Sequence, residues 1–337
     1  MWEERSRGED IMDVTAGEPL KGLCRRIVRE HGIANDLRRC QVLSGGYSHT
    51  IVNCDDHVIA RLSNLPRGEA QFQREREALL LLAGLPGIPS LLGWGTHDGW
   101  HYLLVTRLPG ENLFRAWLTA SAARQRHWLP QLAHVMRRVH ALRADTYLVG
   151  MWLTTTGPTW LDAHDAHMTG VLTALRQLPV PDGVRELINL AGAYYAEHRE
   201  TLRYAVGPCM VHGDLQPYNV IVDGPSLTGV IDWEWAHGAE PDIDLADMVR
   251  WALFPKHPAE EALEDRVSAA DYALLIPALL ASYPEVAATP HLRTRVTIYE
   301  LEYDLTFLLQ HKGSYRQPCE RMHGWLRGNV LEGLLPE

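Results

Sequence analysis

At 337 residues with 46% hydrophobic side chains, the chain is long enough and apolar enough to bury a core in each of two lobes. A formal charge of −10 argues against a nucleic-acid partner, since phosphate binding needs concentrated Lys and Arg; most of the acidic excess lies beyond Arg107, which suits a cationic ligand better. The longest apolar stretches, ALLLLAGL from Ala78 and YALLIPALL from Tyr272, fall short of the roughly 18–20 residues that span a bilayer, and MWEERSRGEDIMD lacks the apolar core of a signal peptide. The expectation is a cytoplasmic protein with no membrane partner, monomeric or homodimeric. Five scattered cysteines, Cys24, Cys40, Cys54, Cys209 and Cys319, show no metal-ligand spacing and read as reduced thiols.

In chain order, residues 1–16 read as flexible. Gln41-Val42-Leu43, Thr50-Ile51-Val52 and Val58-Ile59-Ala60 then form a small antiparallel meander around the Asp55-Asp56 turn. Phe72, Ala78, Leu79 and Leu82 fall at helical spacing, which predicts a helix over 68–83, stopped by Gly84, Pro86-Gly87 and Pro89. Two further strands, 91–94 and 102–105, close the sheet, and Thr106 to Gly110 is a connector. Beyond it helices are predicted over 128–142, 184–203, 271–282 and about 291–311. No internal repeat or low-complexity segment is present, and neither G-x-S-x-G nor a Walker A sequence occurs.

The stretch VHGDLQPYNVIVDG, residues 211–224, places His212, Asp214 and Asn219 between two apolar runs, reading as strand, short loop, strand. Polar groups held at such a loop are more often functional than decorative. Farther on, Val230-Ile231 delivers Asp232 at the end of another apolar strand. Two carboxylates and an amide form an all-oxygen set suited to magnesium that keeps waters and phosphate oxygens as its other ligands, with one carboxylate left for a substrate.

HGDLQPYN followed by IDWEWAHGAEPDIDLA resembles the aminoglycoside phosphotransferase family, a kinase-like group that includes choline, homoserine and methylthioribose kinases. The likeness runs from Ser44 to about residue 310, and the Asp214-to-Asn219 interval matches the D-x-x-x-x-N of the kinase catalytic loop. It implies an α+β, bilobal protein-kinase-like fold: an N-terminal nucleotide-binding lobe, 1–106, with a small antiparallel sheet, and a mainly helical catalytic and substrate-binding lobe, 107–337. Asp214 is then the residue that takes or orients the proton of the attacking hydroxyl. Asn219 and Asp232 hold Mg2+ on the phosphates of ATP or GTP, and His212 and Asp244 brace the loop. The family commonly reads G-D-P-x-x-D where this chain has Gly238-Ala239-Glu240-Pro241.

In the small lobe the resemblance places Ser44, Gly45 and Gly46 over the nucleotide, where glycines let backbone approach phosphate. Arg61 stands where many relatives have Lys, on the α- and β-phosphates, oriented by Glu75, and Thr106 to Leu108 align with the segment that meets the purine. The acceptor is expected to be a small-molecule hydroxyl, with an aminoglycoside or other cationic antibiotic favoured. Glu300 and Asp304, on one face of YELEYDL, are candidates for an amine site, and Glu234 and Trp235 for lining the acceptor pocket. Trp160 is a second aromatic candidate, and His164 and His167 read as surface histidines. The alternatives are a kinase of an endogenous amino alcohol, sugar or homoserine-like molecule, and a nucleotide-binding pseudokinase that serves as an interaction module.

Overall fold

Alternating buried and half-exposed side chains make the N-terminal third a sheet, and stripes at helical spacing make most of the remainder helices. The computed structural model describes residues 17–33, 39–43, 49–55, 57–150, 155–257, 266–311, 315–327 and 330–336. Two compact units emerge, one made of Met1–Gly110 with Thr228–Glu234 and the other of Glu111–Leu227 with Trp235–Glu337.

In the first unit α1 (Gly17–Glu30) precedes β1 (Cys40–Leu43), β2 (Thr50–Cys54) and β3 (Val58–Ser63). After α2 (Pro66–Leu81) come β4 (Leu91–His97) and β5 (Trp100–Thr106). The strands pair antiparallel in the order β1-β2-β3-β5-β4. Helix α1 was not among the predicted elements. Its stripe of Leu20, Leu23, Cys24, Ile27 and Val28 packs on Val52, Cys54, Val58, Ala60, Leu62 and Leu104. Because side chains alternate along a strand, Ala60 and Leu62 serve this core and Arg61 points to the opposite face. Helix α2 begins two residues ahead of the predicted start, at Pro66, whose fixed φ and missing N–H suit a first helical turn.

The second unit opens with β6 (Glu111–Asn112), α3 (Leu113–Thr119) and α4 (Ala122–His140). Helix α4 starts ahead of the predicted Trp128 because Ser121 accepts the Arg124 amide and caps it. The short hairpin β7 (Tyr147–Val149) and β8 (Thr155–Gly157) leads to α5 (Trp160–Gln177) and α6 (Asp182–His198). Strands β9 (Cys209–Val211), β10 (Val220–Asp223), β11 (Ser226–Val230) and β12 (His237–Ala239) follow. The chain ends in α7 (Ile243–Leu253), α8 (Leu275–Ser282), α9 (Leu292–Gln310) and α10 (Arg316–Leu326). The predicted helix over 271–282 is divided into a short 3-10 turn, Ala269–Tyr272, and α8, since Pro277 has no N–H with which to continue a helix from upstream.

The two strands flanking Asp214 do not pair with each other. β9 pairs with β12, matching Met210 to Gly238, whereas β10 pairs with β6, matching Ile221 to Asn112. The loop between them is therefore pinned at its two ends by different sheets. Among the described residues no helix is long and apolar enough to cross a membrane.

Helix α1 is the buried cover of the sheet, so Ile27→Ala, at a side chain with no exposure, is expected to cost about 3 kcal/mol. Denaturant unfolding compared with the parent protein measures it.

Candidate active site

In the first unit three carboxylates meet one guanidinium. Arg61 Nη1 donates to Glu75 Oε1 at 2.6 Å, and Nη2 lies 2.8 Å from Asp232 Oδ1 and 3.5 Å from Glu234 Oε2. Arg61 and Glu75 are buried, at 7% and 2% exposure. His49 Nε2 is 2.8 Å from Glu234 Oε2, and Arg74 Nε donates to the Glu234 carbonyl. Strand β3 supplies the cation and α2 supplies Glu75, while β11 ends just before the two remaining acids. Asp232 itself has φ 69°, a left-handed conformation uncommon outside glycine and concentrated at functional sites.

The electrostatics follow from that crowding. Burial opposes the charge of Arg61, but Asp232, Glu75 and Glu234 outweigh it and hold the guanidinium protonated. Burial pushes Glu75 up to about 8 against the pull of Arg61, with Asp232 and Glu234 adding to the rise.

In the second unit the loop after β9 is clamped from behind. Asp244, at the start of α7, accepts the His212 amide through Oδ2 at 3.0 Å and the Gly213 amide through Oδ1 at 2.9 Å. His140 Nε2 is 2.9 Å from the same Oδ2, and its Nδ1 is 2.8 Å from the Tyr283 hydroxyl. Burial works against the Asp244 charge, but His140 and His212 outweigh it and hold the carboxyl below its ordinary value. Gly213 has φ 76°, and a Cβ there would collide with the Trp235 carbonyl and the His237 ring, so this position admits glycine alone.

A turn closed by the Asn219 amide and the Gln216 carbonyl at 2.9 Å, with Pro217 second in it, brings Asn219 back to the base of the loop. Asn219 Nδ2 donates to the Asp214 carbonyl at 2.9 Å and to Asp214 Oδ2 at 3.1 Å, and Gln216 Nε2 donates to that same Oδ2 at 2.7 Å. With its NH2 facing Asp214, Asn219 presents an amide oxygen as its other end. That oxygen is a hard donor of the kind magnesium takes; within the first unit the Asp232 carboxylate is another, and a divalent cation there would relieve the crowding of acids around Arg61. Among the described residues no cluster of three His, Cys, Asp or Glu could hold a metal by itself.

Several expected site residues are placed elsewhere. Glu300 and Asp304 are buried, at 1% and 0% exposure. Arg250 Nη1 contacts Glu300 at 3.2 Å, while Asp304 accepts from Arg321 Nε at 2.7 Å and Trp325 Nε1 at 3.0 Å. Carboxylates already met by internal arginines are not an amine site. Glu234 is likewise buried and belongs to the Arg61 cluster, whereas Trp235 is half-buried. Trp160 is core, hydrogen-bonded to Tyr299. His164 is buried against Glu302, and His167 bonds Thr306 at 3.1 Å, so neither is a surface histidine. Thr106 directs its amide to the Ser90 carbonyl and accepts the Ser90 amide on its hydroxyl, which removes its N–H from any purine; Leu108 is half-buried. Ser44, Gly45 and Gly46 lie outside the described residues, as do residues 1–16. Gln216 and His140 were missing from the sequence reading: one looks like any loop amide, and the other is 104 positions from its carboxylate.

The profile of the phosphotransferase enzyme family matches residues 39–281. No curated protein matches the chain. Among solved structures, a thermostable mutant of aminoglycoside phosphotransferase APH(4)-Ia in ternary complex with AMP-PNP and hygromycin B superposes with a TM-score of 0.66 at 18% identity, covering 90% of this chain and 97% of that one. The streptomycin-ATP-APH(2")-IIa ternary complex gives 0.60 at 14% identity, covering 92% and 98%. ADP-bound aminoglycoside phosphotransferase APH(2'')-Ib gives 0.61 at 15% identity, covering 95% and 99%. At these identities the likeness establishes the kinase-like α+β fold.

The raised Glu75 carboxyl gives a pH test of this cluster. Its folded value lies above the ordinary 4.5, so the unfolded chain ionises first and holds fewer protons. Stability is then full below about 4.5, falls as pH rises, and levels off above about 8. Thermal unfolding of the nucleotide-free protein across that range should show the decline, and Glu75→Gln should flatten it.

Proposed function

The chain belongs to the phosphotransferase enzyme family, and from that premise we propose that it moves the γ-phosphate of ATP or GTP to a hydroxyl of a small molecule. The observation that carries this reading is the Asp214 loop, where two amides orient one carboxylate and a second carboxylate fixes the backbone from behind.

In this reaction the acceptor oxygen forms a bond to the γ-phosphorus while the bond from that phosphorus to its bridging oxygen breaks, releasing the nucleoside diphosphate. Asp214 takes the proton of the attacking hydroxyl. Arg61 neutralises the α- and β-phosphates, and Glu75 holds Arg61 in place through their 2.6 Å pair. Arginine preserves both the charge and a bidentate geometry where relatives use lysine. Asn219 and Asp232 would hold magnesium, which when bound supplies charge neutralisation on the phosphate oxygens. Most of the rate then comes from position and electrostatics rather than covalent chemistry.

For the acceptor, an aminoglycoside or related antibiotic is the first class to test, which would make the protein a resistance enzyme. Its support is the complexes in which fold relatives were captured, with hygromycin B and with streptomycin. The burial of Glu300 and Asp304 withdraws one argument for a polycation, so an endogenous amino alcohol or sugar stands as the second reading. Nucleotide consumption measured against aminoglycosides, peptide antibiotics, macrolides, choline and simple amino alcohols decides between them. Turnover confined to choline-like or sugar acceptors would remove the antibiotic reading, and no turnover with any acceptor would favour a pseudokinase.

Two substitutions separate the roles. Asp214→Asn should lower turnover by at least about 10²-fold while leaving nucleotide affinity nearly unchanged. Asp232→Asn should weaken magnesium-dependent nucleotide binding as well as rate, so a mutant with an unchanged metal titration removes Asp232 from the metal's ligands.

A further inference from the structure

The side-chain amide of Gln216 can take only one orientation. Its donor lies 2.7 Å from Asp214 Oδ2, and an ionised carboxylate only accepts hydrogen bonds, so the NH2 end faces Asp214 and Oε1 faces away. That oxygen is buried and has no hydrogen-bond partner among the described residues. A buried carbonyl without a donor is unfavourable, and it sits on the same planar group that touches the residue assigned as the base. Asn219 Nδ2 converges on the same Oδ2 at 3.1 Å, so the two amides together fix the orientation of the carboxylate.

We infer that Gln216 reads the acceptor: its NH2 fixes the Asp214 carboxylate, and its Oε1 accepts a hydrogen bond from a second O–H or N–H next to the hydroxyl that is phosphorylated. This rests on the transfer reaction proposed above. The acceptor class is then a vicinal diol or a 1,2-amino alcohol, in a ring or an open chain. A rigid amide holds the base and the contact point at constant spacing, so a donor on the neighbouring carbon reaches Oε1 while the reacting hydroxyl meets Asp214. A monohydric alcohol would leave Oε1 buried and unpaired, and sites built around a hydrogen bond discriminate strongly against analogues that lack it.

The test compares trans-2-aminocyclohexanol with cyclohexanol as acceptors at saturating ATP and magnesium. The parent protein should prefer the amino alcohol in kcat/KM by at least about tenfold. Gln216→Leu, which removes both ends of the amide, should lower kcat, raise the KM of the amino alcohol and abolish the preference, with the KM for ATP unchanged. Gln216→Glu retains an acceptor oxygen but loses the donor, so it should lower kcat while keeping the amino-alcohol KM near the parent value; this split survives even if the leucine variant folds poorly. Equal use of the two alcohols, no turnover of the amino alcohol, or a preference that persists in Gln216→Leu overturns the inference. Asp214→Asn is assayed alongside. If it is inactive while Gln216→Leu behaves as the parent, only the Gln216 role fails; if it retains transfer, the underlying reading fails.

Discussion

A guanidinium shared by three carboxylates is the constraint around which the first unit is organised. Arg61 can be buried only because Glu75, Asp232 and Glu234 meet it, and these acids come from two widely separated stretches of chain. Burying ions costs several kcal/mol apiece, and such clusters are poor sources of stability. Their value lies in place: a cation held by α2 and by the segment after β11 cannot move without disturbing both. The left-handed Asp232 backbone is a second cost accepted at the same point. Backbone strain and buried charge at one point are features that concentrate at functional sites rather than in ordinary packing.

The second unit solves the opposite problem, keeping acids quiet. Arg250 meets Glu300, Arg295 meets Asp242, and Arg321 meets Asp304, all of them buried. The net acidity of this half of the sequence is thus partly internal and does not translate into a surface field. Charge counts report composition, and only burial tells which charges a ligand can feel. At Asp214 the side-chain amides of Gln216 and Asn219 meet the carboxylate, and Asp244 is turned toward backbone N–H groups.

Short-range patterns were legible in the sequence and long-range partners were not. The strands β1 to β5 could be read because alternation is a local signal, and Asp214 and Asn219 because their interval is set by one turn. Helix α1 carries the same kind of local signal, since Leu20, Leu23, Cys24, Ile27 and Val28 repeat at helical spacing, but it stands ahead of the motif-bearing region. By contrast, nothing local says that β9 and β10 part to different sheets, or that His140 reaches Asp244. The same blindness turned Glu300 and Asp304 into a pocket, since a carboxylate on a helix face looks identical whether water or arginine lies opposite.

The first unit is assembled from two separated lengths of chain, and this bears on how the protein comes into being. Synthesis delivers Arg61 and Glu75 early, whereas Asp232, Glu234 and the Val230 amide that bonds the Gly87 carbonyl emerge only after residue 227 has been made. At ordinary elongation rates the wait is on the order of ten seconds. During it, the sheet carries an arginine with one acid instead of three, and no partner from β11 for Gly87. A fragment cut at Gly110 would therefore lack two of the three acids that meet the buried Arg61, so in a growing chain this cluster closes only once the segment after β11 has been made.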